Sequence, residues 1–153
     1  MDYHIETSNQ QAVVPIDEAS LEKAAAATLQ AEGISTAQIS LAVVDSATMR
    51  SLNKQHLQHD YDTDVLSFLL EEAIQPSGRS IDGEVIVSPT IALKQASRFD
   101  WSVADELCLY VVHGTLHLCG YDDATDQLRA TMRDREIAIL GSLGLVPRYS
   151  RDA

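Results

Sequence analysis

The feature that most constrains the fold is a helical segment with almost no polar face. Residues 102–118 favour helix, and apolar residues occupy nearly all positions around its axis. Ser102, followed three residues later by Asp105, is typical of a helix start, and Gly120 suits a left-handed helix exit. A helix of this kind must be covered by other elements on most sides. We therefore predict that it is the central helix of the fold.

The remaining elements are predicted from hydrophobic periodicity, with strands early in the chain and helices late. Strands are predicted at residues 3–7, 39–44, 65–69 and 84–87, and the last two are expected in the sheet interior. Further helices are predicted at residues 18–31, 46–56, 89–98 and 126–140, and a loop at 71–79, where Pro76, Ser77 and Gly78 interrupt the apolar pattern. This order predicts an α+β fold with a small, mixed, four-stranded sheet packed against the central helix.

Length and charge limit the classes of function. The chain has 153 residues, 45% of them apolar, which favours a single domain over residues 1–153. Its formal net charge of −12 excludes a broadly basic surface for nucleic-acid binding, so any such contact must be local. No apolar run is long enough to span a membrane, and the first 14 residues lack signal-peptide features. We expect a soluble cytoplasmic protein with no membrane contact.

The two cysteines, Cys108 and Cys119, stand in or just after the central helix. Eleven residues of helix separate their backbones by about 16 Å, which is too far for a disulfide. A metal-ligand or redox role for Cys119 is one alternative. We expect both cysteines to act as small buried apolar residues.

Two histidines in the central helix indicate a metal site. His113 and His117 are four residues apart and therefore lie on one helix face. Gly120 then ends the helix, and the turn brings a carboxylate, Asp122 or Asp123, back toward the histidines. A lone histidine would be better explained as a core residue, but two in an apolar helix would be costly to bury without a ligand. The pattern predicts three protein ligands and one open position for water.

A glycine argues against protease chemistry. Gly114 stands directly after the first histidine, where helix-borne zinc proteases carry the glutamate that acts as general base. The nucleophile must then be a water whose pKa the bound metal lowers, or a group that the substrate itself carries. RNA is such a substrate, because a 2′-hydroxyl lies beside each scissile phosphate.

The sequence His-Gly-Thr-Leu-His-Leu-Cys-Gly-Tyr-Asp-Asp at residues 113–123 resembles the signature His-Gly-x-Leu-His-Leu-x-Gly-Tyr-Asp-His of the YbeY family. Two more segments are similar to family strands, Thr-Asp-Val-Leu-Ser-Phe at 63–68 and Asp-Gly-Glu-Val-Ile-Val-Ser at 82–88, and the resemblance extends over roughly residues 39–144. It implies a zincin-like fold, one divalent ion, expected to be Zn²⁺, and a metal-dependent endoribonuclease specific for single strands. The implied partners are rRNA, in 16S 3′-end processing and ribosome quality control, and a ribosomal subunit or ribosomal protein, with no DNA expected.

One departure from the family pattern affects the metal ligands. Asp123 stands where the family has its third metal-binding histidine, and the resemblance therefore implies His113, His117 and Asp123 as ligands. A carboxylate ligand makes the ion a weaker Lewis acid and makes manganese or iron more competitive. Asp122 occupies the family's own aspartate position and is the alternative ligand or a supporting group.

The other departure removes an expected RNA contact. Leu57 stands where similar family members carry an arginine suited to phosphate binding. Lys54, His56 or His59 could partly replace it, although we expect all three to be ordinary solvated loop residues.

Other polar residues near the predicted site have ordinary explanations. Arg129 and Arg133 share a helix face, and they and Arg135 are expected to form salt bridges with the many acids, with phosphate contact as the alternative. Thr63 and Ser67 either face the metal cleft or hydrogen-bond along a strand edge, and strand alternation does not choose between these.

Three hypotheses follow for the function. The first is the cytoplasmic endoribonuclease of rRNA maturation, with His113, His117 and Asp123 holding the ion. The second is a catalytically weakened, metal-binding ribosome-assembly factor, suggested by the missing arginine and the missing third histidine. The third is a non-haem iron oxygenase, because two histidines and a carboxylate also make a facial triad. We rank it last, because such sites are commonly built on β-barrels and this one lies on a helix.

Overall fold

The structure is a computed structural model that describes residues 1–57 and 64–147, without the side chains of residues 56 and 57. Four strands and five helices lie within these ranges, and none of those helices is long and apolar enough to cross a membrane. The elements are β1 (Asp2–Gln10), α1 (Glu18–Ala31), β2 (Ile34–Val44), α2 (Ser46–Leu57), β3 (Val65–Gln75), β4 (Gly78–Val87), α3 (Pro89–Phe99), α4 (Val103–Leu118) and α5 (Asp126–Ser142).

The strands form one mixed sheet in the order β1-β2-β4-β3. β1 pairs in parallel with β2, β2 pairs in parallel with β4, and β3 runs antiparallel to β4. The predicted α+β architecture with a four-stranded mixed sheet is confirmed, and every predicted strand and helix is present. All four strands are longer than predicted. In β1 and β2, polar residues alternate with apolar ones at the strand ends and weaken the apolar signal.

Two predictions about the hairpin are wrong. The loop predicted at residues 71–79 is instead strand on both sides of a two-residue turn at Pro76 and Ser77. Gln75 and Gly78, on either side of this turn, pair with each other across the hairpin. Ladder pairing with β4 holds these polar residues in strand conformation although their composition favours a loop. The strand predicted at 65–69 is also not interior, because β3 is an edge strand of the sheet. Leu69 and Leu70 are correspondingly exposed.

The central position predicted for the apolar helix is confirmed. α4 packs against α1, α3 and α5 and against β3 and β4. Its side chains at Leu107, Val111, Val112 and Leu116 are fully or almost fully buried. The hydroxyl oxygen of Ser102 accepts a hydrogen bond from the backbone N–H of Asp105 at 3.0 Å, which caps the helix as expected.

Gly114 allows α4 to lie directly on the sheet. A Cβ atom at this position would lie 2.5 Å from Val85 Cγ1, 2.9 Å from Ser67 Oγ and 3.0 Å from Val65 Cγ2. In the same contact the Ser67 hydroxyl donates a hydrogen bond to the carbonyl oxygen of Gly114 at 2.9 Å. The helix turn that carries both histidines is therefore held against β3 and β4.

The expectation for the cysteines agrees with the structure. Cys108 and Cys119 are both free and buried. Burial raises the pKa of the Cys108 thiol to about 11 and that of the Cys119 thiol to about 12, with nearby carboxylates adding to the effect in both. A protonated, buried thiol is a poor nucleophile and a poor metal ligand.

We predict that Gly114→Ala lowers the free energy of unfolding of the metal-free protein by about 1–3 kcal/mol, because the added methyl group overlaps Val85 and Ser67. Gly141→Ala in α5 is the matched control, since nothing lies within 4 Å of its added Cβ. In that control variant the free energy of unfolding should rise by about 0.5–1 kcal/mol, because alanine favours helix over glycine. Urea denaturation measures both, and equal gains in the two variants would contradict the close contact.

We also predict that both thiols resist alkylation in the folded protein. At mildly alkaline pH, iodoacetamide should modify each thiol at least about a hundredfold more slowly in the folded protein than in the urea-unfolded chain. Burial limits access of the reagent and also disfavours the reactive thiolate. Mass spectrometry of timed samples gives the rate at each cysteine. Modification of Cys119 at the rate of a free thiol would show that it is accessible and activated.

Candidate metal centre

The two histidines converge at the C-terminal end of α4. His113 and His117 lie one turn apart on the same face, and their Nε2 atoms are 3.1 Å from each other. Their ring planes are nearly perpendicular, at 82°. About a quarter of each side chain is exposed, 25% and 27% respectively. Each ring is therefore partly open to solvent while the protein holds it in place.

The turn after α4 brings a carboxylate to the same point. Gly120 has a φ of 109°, which L side chains rarely adopt, and its backbone N–H donates to the carbonyl oxygen of His117 at 3.0 Å. The chain then reverses, and Asp123 Oδ2 lies 3.5 Å from His113 Nε2 and 3.6 Å from His117 Nε2. The helix exit therefore places a third donor beside the two imidazoles.

These distances fit a bound divalent ion. Ligand atoms about 2.0–2.1 Å from a tetrahedral zinc ion lie roughly 3.3 Å apart, close to the three separations found here. Within the described ranges, His113, His117 and Asp123 form the group of side chains that could hold a metal ion. Two imidazole nitrogens and one carboxylate oxygen are donors that suit zinc and related divalent ions. Three such ligands leave a coordination position open.

Asp122 has a different place in the loop. Its Oδ1 accepts hydrogen bonds from the backbone N–H groups of Asp123 at 2.7 Å and of Ala124 at 3.2 Å. The structure brings Asp123, and not Asp122, to the histidine pair. Asp122 instead orders the turn in which Asp123 is presented.

Each histidine also makes a hydrogen bond through its other ring nitrogen. His113 Nδ1 lies 3.2 Å from Glu136 Oε1, and His117 Nδ1 lies 2.9 Å from the carbonyl oxygen of Tyr121. With the proton on Nδ1 in both rings, the two Nε2 atoms present their lone pairs to the shared point. Burial works against the charged imidazole of His113, but the hydrogen bond and charge of Glu136, together with the charges of Asp64 and Asp123, outweigh it and raise the pKa.

Two acidic residues at the centre were missed by the sequence reasoning. Glu136 lies on the buried face of α5 with Met132, Ile139 and Leu140, and this inward position in an apolar pattern is the signal that could have identified it. Asp64 lines the histidine cleft, and burial raises the pKa of its carboxyl. It lies in the strand motif 63–68, but its own role could not be read from the sequence.

The histidines open into a cleft of about 350 Å³. Its walls come from the start of β3, the exposed face of α4 and the turn after it, and consist of Asp64, Val65, Leu66, Ser67, His113, His117 and Asp123. Ser67 thus lines the cleft, as the first expectation had it, and its hydroxyl donates to the carbonyl oxygen of Gly114 in α4 and not along a strand edge. The volume is typical of a site for a small ligand or a single group of a larger one.

A second cleft, of about 410 Å³, shares no residue with the first. It lies on the sheet, and four carboxylates are among its lining residues, from Asp2, Glu71, Glu72 and Asp82. A surface of this charge repels a polyanion such as RNA. This acidic cleft is therefore a poor candidate for binding a polyanion.

Several residues considered in the sequence cannot be placed at the site. His59 and Thr63 lie outside the described residues, as do the side chains of His56 and Leu57 at the end of α2. Lys54 lies on α2 and is exposed.

Two of the three arginines on α5, Arg129 and Arg135, form the expected salt bridges. Arg129 pairs with Asp126, and Arg135 Nη2 lies 2.6 Å from Glu32 Oε2. Arg133 also has an interaction partner. No phosphate-contacting role is required to explain these side chains.

Comparison with known proteins agrees with this arrangement. The sequence model of the family Endoribonuclease YbeY matches residues 5–144. The chain is 45% identical over 119 residues to Endoribonuclease YbeY from Salinibacter ruber, covering 75% of this chain and 76% of that one. It is 40% identical over 149 residues to Endoribonuclease YbeY from Moorella thermoacetica, covering 90% and 96% of the two chains.

A similar fold is known from experiment. The solution structure of TM1509 from Thermotoga maritima matches with a TM-score of 0.58 and 24% identity, and the alignment covers 93% of this chain and 91% of that one. At this level of identity the match supports the fold alone. Taken with the family match over residues 5–144 and the 40% identity along nearly the whole chain, the histidine-bearing α4 and its mixed sheet show that this chain belongs to the YbeY family.

Proposed function

We propose that this protein is a metal-dependent endoribonuclease that cleaves single-stranded RNA in rRNA maturation, including 16S 3′-end processing. The observation that carries the proposal is the triangle of His113 Nε2, His117 Nε2 and Asp123 Oδ2 in an open cleft, with sides of 3.1, 3.5 and 3.6 Å. The names of the relatives from Salinibacter ruber and Moorella thermoacetica support the same activity. We further propose that residues 1–153 form one cytoplasmic hydrolase domain.

In this proposal His113, His117 and Asp123 hold one divalent ion, Zn²⁺. When bound, the ion supplies a Lewis acid and a bound water of lowered pKa. The protein's own part is to fix the three donor atoms and to leave the open coordination position of the ion facing the cleft. Gly114 supports this role, because it lets α4 lie against the strand that forms the opposite wall.

The shape of the cleft favours a single strand as substrate. A volume of about 350 Å³ accommodates roughly one phosphodiester and its sugar, and an unpaired strand can bend into such a cleft, whereas base pairing holds an A-form duplex rigid. The 2′-hydroxyl of RNA stands next to each scissile phosphate and is a ready nucleophile. These features support RNA over DNA and a single strand over a duplex.

The charge of the protein favours a partner in recognition. Because the protein has a net charge of −12, its binding to free RNA depends on a few local contacts, and its affinity for free RNA is weak. We propose that a ribosomal subunit or a ribosomal protein brings the rRNA to the cleft. An acidic enzyme is attracted to the basic proteins that accompany rRNA, and such attraction raises the rate of encounter.

The second candidate is a metal-binding ribosome-assembly factor with weakened catalysis. It is favoured by Asp123 at the position of the family's third histidine and by Leu57 at the position of an arginine suited to phosphate. A carboxylate ligand reduces the Lewis acidity of the ion, and loss of the arginine removes a contact to the phosphate. Cleavage by the natural protein decides between the two candidates.

We predict close to one equivalent of zinc in tag-free protein, and its loss in both His113→Ala and Asp123→Ala, because each removes one of three ligands. Elemental mass spectrometry on the purified proteins measures this. His4→Ala is the control, since His4 is an exposed histidine on β1 that pairs with Glu6. Loss with His113→Ala only would make Asp122 or water the third ligand, and no metal after reconstitution would contradict the centre.

We predict that the natural protein, loaded with zinc, cleaves single-stranded RNA, and that His117→Ala slows cleavage by at least about a thousandfold, because a Lewis acid supplies several kcal/mol. Gel analysis of labelled RNA, of its duplex and of the same sequence as DNA measures activity and specificity. His4→Ala should cleave as the natural protein does. An inert natural protein that becomes active as Asp123→His with Leu57→Arg would contradict the nuclease proposal and favour the second candidate, a metal-binding protein without catalysis.

A further inference from the structure

A buried carboxylate lies directly behind the candidate metal centre. Glu136 is only 4% exposed, and its Oε1 is 3.2 Å from Nδ1 of His113. It comes from α5, whereas the three candidate ligands come from α4 and the turn after it. Burying a carboxylate is unfavourable by several kcal/mol unless hydrogen bonds and charges compensate. Its position against the histidine therefore calls for an explanation.

The contact uses the ring nitrogen that points away from the cleft. A neutral imidazole has one N–H and one lone pair, so an acceptor at Nδ1 places the proton there and leaves the lone pair on Nε2. Nε2 of His113 is the atom that faces His117 at 3.1 Å and Asp123 at 3.5 Å. The hydrogen bond to Glu136 thus fixes both the tautomer and the direction of the ligand nitrogen.

The two histidines differ in the partner that holds them. His117 donates to the backbone carbonyl of Tyr121, which is a neutral acceptor supplied by the local turn. His113 donates to a charged acceptor supplied by a distant part of the chain. A carboxylate acceptor also makes the imidazole a more basic ligand than a carbonyl acceptor does.

We propose that Glu136 is the positioning residue of the metal centre, orienting His113 through its Nδ1–H and strengthening it as a ligand. The inference rests on the proposed metal site and adds to it a residue from α5. Charge supports it, since Glu136 adds a negative charge behind an imidazole that would hold a divalent cation. Docking of α5 onto α4 thereby becomes part of assembling the site.

The test is the affinity for Zn²⁺, measured by competition with a chromophoric chelator. Glu136→Ala removes the acceptor and should weaken binding about ten- to a hundredfold, and Glu136→Gln, which keeps an acceptor without the charge, should fall between it and the natural protein. Glu106→Gln is the matched control, because Glu106 is equally buried, at 4% exposure, but binds Trp101 Nε1 at 2.7 Å and not a histidine. Glu106→Gln should stay within about twofold of the natural protein.

A second readout separates positioning from a merely structural tie between helices. In metal-free protein at a pH where both imidazoles are neutral, ¹⁵N chemical shifts should show His113 as the Nδ1–H tautomer, and Glu136→Ala should populate the Nε2–H form while His117 is unchanged. Circular dichroism of each variant checks that the fold is retained.

The outcomes distinguish this inference from the proposed function. Weaker zinc binding together with the tautomer change in folded Glu136→Ala supports the positioning role. Zinc affinity within twofold of the natural protein overturns it, as does equal weakening in Glu106→Gln, and in both cases the metal centre stands. A natural protein that binds no zinc overturns the metal centre and the positioning role together.

Discussion

The close packing of α4 on β3 and β4 is the contact on which the rest of the structure depends. It is possible because Gly114 has no side chain at a point where a Cβ would lie 2.5 Å from Val85. The same contact is fastened by the Ser67 hydroxyl on the Gly114 carbonyl oxygen. One glycine therefore joins the apolar core to the cleft, since the residue before it is His113 and the strand opposite it forms the other wall.

The site combines local and distant parts of the chain in one small volume. The pair His113 and His117 and the turn to Asp123 come from a single stretch of eleven residues. Asp64 and Ser67 come from β3 and the residue before it, and Glu136 comes from α5. An acidic protein with three carboxylates around two imidazoles is well suited to a divalent cation and poorly suited to free polyanions. A divalent ion held there would provide the positive charge that the surface lacks.

The errors of the sequence reasoning lie where pairing between distant residues overrides local composition. Residues 71–79 contain proline, serine and glycine, yet all but the two turn residues are paired in the ladder between β3 and β4. The strand at 65–69 reads as interior from its apolar run, but β3 has a paired neighbour, β4, on one side only. Val65 packs on the α4 side, Leu66 and Phe68 join a small cluster that includes α2, and Leu69 is exposed. Strand order depends on contacts far apart in sequence, which periodicity does not contain.

By itself, the sequence determined the features that depend on near neighbours in the chain. These are the apolar helix with its Ser102 cap, the common face of two histidines four residues apart, and the reversal at Gly120 that returns a carboxylate to them. Only the tertiary structure decided that Asp123 and not Asp122 meets the histidines, that β3 lies at the sheet edge, and that Glu136 reaches His113 across 23 residues of chain. The reason is that helix spacing and turns follow from local geometry, whereas contacts between elements depend on how their buried faces pack together.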